Sequence, residues 1–176
     1  MNKKISLFYK LILIILLLST STFNRAEEIL IYADSISYDE NENIIAKGKA
    51  KIFQNNKLII SELIIYDKLE EKIILPLNFA FKDENNNFIE GENGFFLNNL
   101  KYAEFDNPKI KLNDGSRIIG NKFKRDGEID IISKGVYSPC KSRIKIANFI
   151  CPTWQLEGEK ILHDNENLFL YQKHSK

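Results

Sequence analysis

The residues of this chain that could do chemistry are its carboxylates, two cysteines and two histidines. Asp39 and Asp67 each follow a tyrosine, in Tyr38-Asp39 and Tyr66-Asp67. A pair of carboxylates held at fixed geometry is what general acid–base hydrolysis uses. Ser138, Ser142 and His163 are of the types that serve nucleophilic catalysis, but they stand in no recognisable nucleophile motif, and the chain has no glycine-rich phosphate loop. His163 and His174 are the only histidines, and neither lies at ligand spacing from a Cys-x-x-Cys pair, so a metal site is poorly supported. No metal, cofactor or catalytic residue is expected, and the chain is read as a non-enzyme.

The carboxylates recur in step, which changes their meaning. Ala33-Asp34-Ser35-Ile36-Ser37-Tyr38-Asp39 returns as Ser61-Glu62-Leu63-Ile64-Ile65-Tyr66-Asp67, 28 positions on. Looser copies open at Gly91-Glu92, Gly120-Asn121 and Gly158-Glu159, and His163-Asp164 fills the Tyr-Asp slot of the last. A fixed period marks stacked supersecondary units, each too small to bury its own apolar face. Asp39 and Asp67 are therefore expected to hold turns at strand ends rather than to catalyse. His163 is expected to be a repeat position rather than a general base.

The elements that place these residues read as strands. In Ile44 to Ile52, Ile44, Ala46, Gly48, Ala50 and Ile52 share one face, while Lys47, Lys49 and Lys51 share the other. Ile73, Leu75, Leu77, Phe79 and Phe81 form a second row, which Pro76 confines to an edge or a bulge. Leu58 to Tyr66 is nearly continuous in apolar residues, broken at Ser61-Glu62. That pair, and its counterparts at Ala33-Asp34, Gly91-Glu92, Gly120-Asn121 and Gly158-Glu159, suit corners between sheets. Shorter strands follow at Phe95 to Leu97, Tyr102 to Phe105, Lys109 to Leu112, Ile118 to Lys124 and Glu128 to Ser133. Asn41 to Asn43, Asn55-Asn56, Asn85 to Asn87, Asn98-Asn99, Asp106-Asn107-Pro108, Asn113-Asp114-Gly115 and Arg125-Asp126-Gly127 are the turns, with Asp114-Gly115 and Asp126-Gly127 the strong hairpin signals. No segment carries a capped helical stripe, so the fold class is all-β: a sandwich, jelly roll or open roll of short antiparallel strands.

Charge excludes some partners. Lys and Arg number 25 against 24 Asp and Glu, with no basic run interleaved with aromatics, so nucleic acid is not expected. Residues 1–26 read as a secretory signal: Lys3 and Lys4, an apolar run from Leu11 to Leu18, then Ser19 to Thr22. The cleavage point stays open. The apolar run is short against the roughly 20 residues of a membrane span, which favours cleavage over an uncleaved anchor. Residues 27–176 form one domain. Export favours pairing Cys140 with Cys151, a bridge contributing roughly 2–3 kcal/mol; two free thiols or bonds to another chain are the alternatives. Trp154 is expected to anchor the last unit, with contact to a ligand as the alternative.

With these residues in view, the chain resembles a known family. Ala33-Asp34, Tyr38-Asp39 and Ala46-Lys47-Gly48-Lys49-Ala50-Lys51-Ile52, with the echo at Ser61-Glu62 and Tyr66-Asp67, are similar to the OstA-like, or organic-solvent-tolerance, domain. The tail, Val136-Tyr137-Ser138-Pro139-Cys140, Pro152-Thr153-Trp154-Gln155-Leu156, His163-Asp164 and Tyr171, resembles the periplasmic N-terminal domain of the lipopolysaccharide-assembly protein LptD. The resemblance implies a twisted, V-shaped β-jelly roll whose apolar interior shields acyl chains of lipopolysaccharide, with the lining drawn from Ile36, Ile44, Ile52, Ile64, Leu75 and Phe79. It implies edge strands that dock to an LptA-like periplasmic bridge protein and to the barrel and lipoprotein components at the outer membrane. It implies a periplasmic location and no enzymatic activity. The family's membrane β-barrel has no counterpart before Lys176, so a fragment, a split gene and a stand-alone carrier are all compatible with the sequence. The family's cysteines lie closer together than Cys140 and Cys151, which leaves the pairing partner open. Two other readings stand beside this one. One is an exported structural β-domain that binds proteins by edge addition without lipid; the other is a membrane-anchored component similar to LptC.

Overall fold

The computed structural model describes residues 29–97, 99–139, 145–146, 149–150 and 155–175. The signal segment, Cys140, Cys151 and Trp154 lie outside them. Among the described residues the chain forms fifteen strands and no helix. They are β1 (Leu30–Tyr32), β2 (Ser35–Tyr38), β3 (Ile44–Gln54), β4 (Lys57–Asp67), β5 (Lys72–Leu75), β6 (Phe79–Lys82), β7 (Phe88–Leu97) and β8 (Tyr102–Lys111). There follow β9 (Arg117–Ile119), β10 (Lys122–Asp126), β11 (Ile129–Ser138), the short pair β12 (Lys145–Ile146) and β13 (Phe149–Ile150), β14 (Leu156–Asp164) and β15 (Phe169–Ser175). All but β12 and β13 join one antiparallel sheet in the order β1-β3-β4-β5-β7-β8-β10-β11-β14-β15. β2 continues β1 along β3, β6 continues β5 between β4 and β7, and β9 lies between β8 and β11. The all-β class read from the alternation is the class of the structure.

The long strands are bent, and β7 shows it directly. Phe81 of β6 pairs with Ile89 of β7. Its ring nevertheless lies 5.0 Å from that of Phe96, seven positions further along β7. A straight strand would separate the two positions by about 23 Å. The two halves of β7 must therefore face each other, and the sheet folds over into two layers with the apolar faces inside.

The fold line is a phase slip in the long strands β4, β7, β8 and β11, whereas β3 keeps its phase across it from Ala46 to Ala50. On β4 the buried positions run Ile59, Ser61 and then Ile64; on β8 they run Ala103, Phe105 and then Pro108, Ile110. A strand that stayed flat would turn its next side chain outward after such a three-residue step. The extra residue sits in a bulge, so the inward face stays inward around the corner. Pairing slips at the same places, between Lys47 and Ala50 on β3 and between Glu90, Glu92 and Phe95 on β7. Gly48, Lys49, Asn93, Asn107 and Lys134 take positive φ there. Gly120-Asn121 separates β9 from β10, and Ala33-Asp34 separates β1 from β2. The corners expected from the repeat are where the sheet bends. At Gly91 the layers crowd: an added Cβ would come within 2.3 Å of the Phe105 ring.

Turn chemistry follows the sequence closely. Asp39 Oδ1 accepts from the amides of Asn41 and Asn43, both at 2.9 Å, and Asn43 Nδ2 donates to Oδ2. Asp83 and Asn87 repeat that arrangement, Asp67 accepts from Leu69 and Glu70, and Asp164 accepts from Glu166 and Asn167. Asn55 and Asn56 both take positive φ in a two-residue hairpin. The carboxylates of the repeat are committed to turns.

Two local expectations are corrected. Leu77, placed on the inward row with Leu75 and Phe79, is 47% exposed, because Pro76 ends β5 and the chain leaves the sheet before β6 begins. Asp106-Asn107-Pro108 is no reversal; β8 runs through it, because the positive φ of Asn107 builds a bulge instead.

Candidate functional site

Apolar alternation from both layers fills one interior. Ile52, Ile64, Leu75 and Phe79 are all buried in it, together with Ala46 and Ala50. Phe79 meets Phe105 edge-on at 5.0 Å, and Phe105 stacks on Phe123 at 4.2 Å. These rings span both layers. The interior is occupied by the protein's own side chains at this level.

At the β2 edge the same inner face is open. Ile36 pairs with Ala46, and Tyr38 with Ile44, so these side chains share the face that becomes the core. Ile36 is nonetheless 47% exposed and Tyr38 64%, while Ile44 is half-buried. Of the six positions expected to line the interior, four are deep in it. Ile44 lies at its margin and Ile36 on its uncovered rim. The result is an apolar shelf leading inward from the rim through Ile44 and Ala46 to Ile64.

The opposite margin is closed by polar groups that alternation also places inward. Arg125 follows Phe123 on the core face of β10, and Asp130 precedes Ile132 on that of β11. Arg125 donates from Nε to Asp130 Oδ1 at 2.6 Å and from Nη2 to Oδ2 at 2.9 Å. Asn165 Nδ2 donates to the same carboxylate, and His163 Nδ1 lies 3.7 Å from it. The guanidinium also rests over the Phe81 and Phe123 rings. Burial by itself would raise the Asp130 carboxyl and lower Arg125. The ion pair outweighs it, holding Asp130 below the usual carboxylate value and Arg125 above its own. Sequence reading passed over this cluster, although a charged residue on each of two adjacent inward rows was its signal.

Beside the cluster, Gln54 at the end of β3 donates through Nε2 to Asn99 Oδ1 at 2.9 Å. The bond ties the end of one layer to the β7–β8 turn of the other. Leu100, next in that turn, is buried in the core although it takes a φ of 65°. The crevice here, touched by Lys57, Asp83, Leu100 and Arg125, has about 20 Å³ of free space, room for a single water.

The outer face carries a groove of about 900 Å³ along the corners, with Ile60, Ile119 and Val136 on its floor and Glu62, Glu92 and Lys134 at its sides. Asn107 Nδ2 hydrogen-bonds Glu92 Oε1 across it. Both ends of the sheet are unpaired strands among the described residues. β15 exposes Phe169 and Tyr171; on the outer face at the other end, Tyr32 meets Phe53 edge-on at 5.9 Å. Among the described residues no group of three or more His, Cys, Asp or Glu is gathered to hold a metal.

No known protein family matches the sequence, and no curated protein matches it. Among solved structures the chain is similar to LptH, the LptA-homologous periplasmic component of the lipopolysaccharide transport device of Pseudomonas aeruginosa. The two are 12% identical with a TM-score of 0.30, over 86% of this chain and 85% of that one.

Proposed function

We propose that this protein is an exported, non-enzymatic carrier of acyl chains in lipopolysaccharide transport, holding them against the inner face of its roll. The observation that carries the reading is the open rim. Ile36, Tyr38 and Ile44 belong to the core face, yet among the described residues no layer covers Ile36, only the Lys68 ammonium rests over the Tyr38 ring, and Ile44 is half-buried. Covering apolar surface with an acyl chain gains about 0.8 kcal/mol per buried CH₂. The shelf runs straight into the interior lined by Ile52, Ile64, Leu75 and Phe79, so a chain seated at the rim is continuous with the core. The resemblance of the Tyr-Asp repeat and the Tyr-Ser-Pro-Cys tail to the LptD periplasmic domain supplies the lipid class.

The unpaired edges give the partner mode. β2 and β15 can each accept a strand from an LptA-like bridge protein or an outer-membrane Lpt component, extending the shelf from one roll to the next. On this reading residues 1–26 are a secretory signal that directs the chain to the periplasm, and the resemblance to the LptD domain is what favours a position beside the outer membrane.

Photo-crosslinking tests this reading. A benzophenone side chain at Ile44 or Ile36, in cells making labelled lipopolysaccharide, is expected to give lipid adducts. The same group at Leu69, on an exposed turn, is expected to give none. Adducts to protein alone at all three positions would transfer the support to a domain that binds partners by edge addition without lipid.

A further inference from the structure

The acyl-chain reading leaves a mechanical question, because the deep interior is already full. Phe79, Phe96, Phe105 and Phe123 occupy it, and a chain that passes the rim must part the two layers. The layers are joined along the corners by continuous strands, so they can separate only at the margin away from the bends. At that margin two kinds of tie are present. The Arg125–Asp130 ion pair lies within one layer, between neighbouring strands β10 and β11, and reaches across the gap only where the guanidinium rests over the Phe81 ring. The Gln54–Asn99 hydrogen bond does bridge it, between residues 45 positions apart.

The segment bearing Asn99 is unusual. Asn99 and Leu100 take φ of 55° and 65° in succession. Asparagine tolerates that region; leucine is found there uncommonly. The conformation turns Leu100 inward, where it is 2% exposed and joins the core cluster. The turn thus holds a strained apolar plug in place with the neutral Gln54–Asn99 hydrogen bond, the backbone bond from Gly127 to Lys101 and the packing of the Leu100 side chain. A tie of this kind is weak enough to open and specific enough to close again.

We propose that Asn99-Leu100 is a latch on the lipid interior, resting on the carrier reading above. With the Gln54–Asn99 bond made and Leu100 seated, an acyl chain reaches only the shelf at Ile36, Tyr38 and Ile44. When the bond breaks and Leu100 swings out, the strain at its backbone is relieved and the layers part. The chain then advances to Leu75, Phe96 and Phe105. The rim is a loading seat and the interior a second, gated one.

The test locks the latch reversibly. Gln54→Cys and Asn99→Cys are combined in the full chain and bridged by a short bis-methanethiosulfonate linker that reductant removes. The wild-type chain treated alike controls for Cys140 and Cys151. The probe is palmitic acid carrying a terminal diazirine, and its adducts are mapped by mass spectrometry. The bridged protein is expected to carry adducts at the rim residues only, and the reduced protein at Phe96 and Phe105 as well. Deep adducts in both states would overturn the latch and leave the carrier reading standing. Rim adducts alone in both states would also overturn the latch. No adduct at rim or interior, in the wild-type chain too, would overturn both.

A milder variant covers misfolding of the double cysteine chain. Asn99→Ala removes the side-chain bond from Gln54 across the layers. Amide exchange at Phe96 and Ala103 is expected to quicken about fivefold. Unchanged exchange there would overturn the latch, because the bond would then hold nothing shut.

Discussion

Arg125 and Asp130 face each other across the β10–β11 hairpin on the side of the sheet that forms the core, joined by two hydrogen bonds of 2.6 and 2.9 Å. Two charges have been taken out of water where the alternation of their strands calls for apolar residues. Their mutual satisfaction makes the arrangement tolerable, and removing either leaves the other buried without a counter-charge. Arg125→Ala or Asp130→Ala alone is expected to cost about 3–5 kcal/mol. Arg125→Met with Asp130→Leu is expected to cost far less than the sum. Urea unfolding of the single and double variants checks this; additive losses would contradict it.

The same pair sets the acid limit of the fold. Asp130 titrates below its ordinary 3.8 in the folded state, since Arg125 and the hydrogen bonds to His163 and Asn165 outweigh its burial. Asp39 and Asp164 are also lowered, chiefly by the side chains of Asn43 and Asn167. A lowered folded value means the unfolded chain takes up protons first as pH falls. The stabilisation is complete above the ordinary carboxylate range and drains away as pH drops through the folded values. Urea midpoints are expected to be level near neutrality and to fall steadily below roughly pH 5. Asp130→Asn should flatten that fall, and an unchanged slope in this variant would assign it to other carboxylates.

The corner is tested at Gly91. A Cβ there would meet the Phe105 ring at 2.3 Å. Gly91→Ala is expected to destabilise by about 1–3 kcal/mol through overpacking. Phe105→Leu in the same chain should recover part of the loss. Thermal unfolding of both variants decides it, and a neutral Gly91→Ala would mean that the layers do not close as tightly at the bend.

Much of this architecture was legible because its signals are local. The period-two row from Ile44 to Ile52 needs only the pleat, and the Asp39–Asn43 turn needs only a carboxylate two and four residues from the amides it accepts. The corners were legible as repeats of a small residue followed by a polar one. What escaped depends on residues distant in sequence. Leu77 is the local exception: it reads as part of its row until the neighbouring Pro76 is seen to end the strand. Leu100, just past the Asn98-Asn99 turn, carries no signal in the sequence, and only the opposing layer makes it core. Arg125 reads as the first residue of the turn Arg125-Asp126-Gly127, but β10 runs through it and Asp130 and the Phe81 ring hold it in the core. Ile36 lies on the inner face as the resemblance implies, but its exposure depends on where the opposite layer stops.

The unpaired end at β15 predicts association behaviour. Phe169→Lys with Tyr171→Lys removes exposed aromatic surface without touching the core. The melting temperature is expected to stay within about 2–4 °C, as for a surface change in a chain of this size. Capture of an LptA-like partner on a sensor surface is expected to weaken about tenfold or more, as for loss of an interface anchor. Undiminished capture would move the docking edge to β2.

The central claim is that acyl chains are what the inner face recognises. Equilibrium binding of intact lipopolysaccharide and of the same molecule stripped of its acyl chains, to the purified protein at matched ionic strength, tests it most directly. The account predicts saturable binding of the intact lipid, lost on de-acylation and weakened by Ile36→Asp at the rim. Equal binding of the de-acylated form, or binding indifferent to Ile36→Asp, would contradict it.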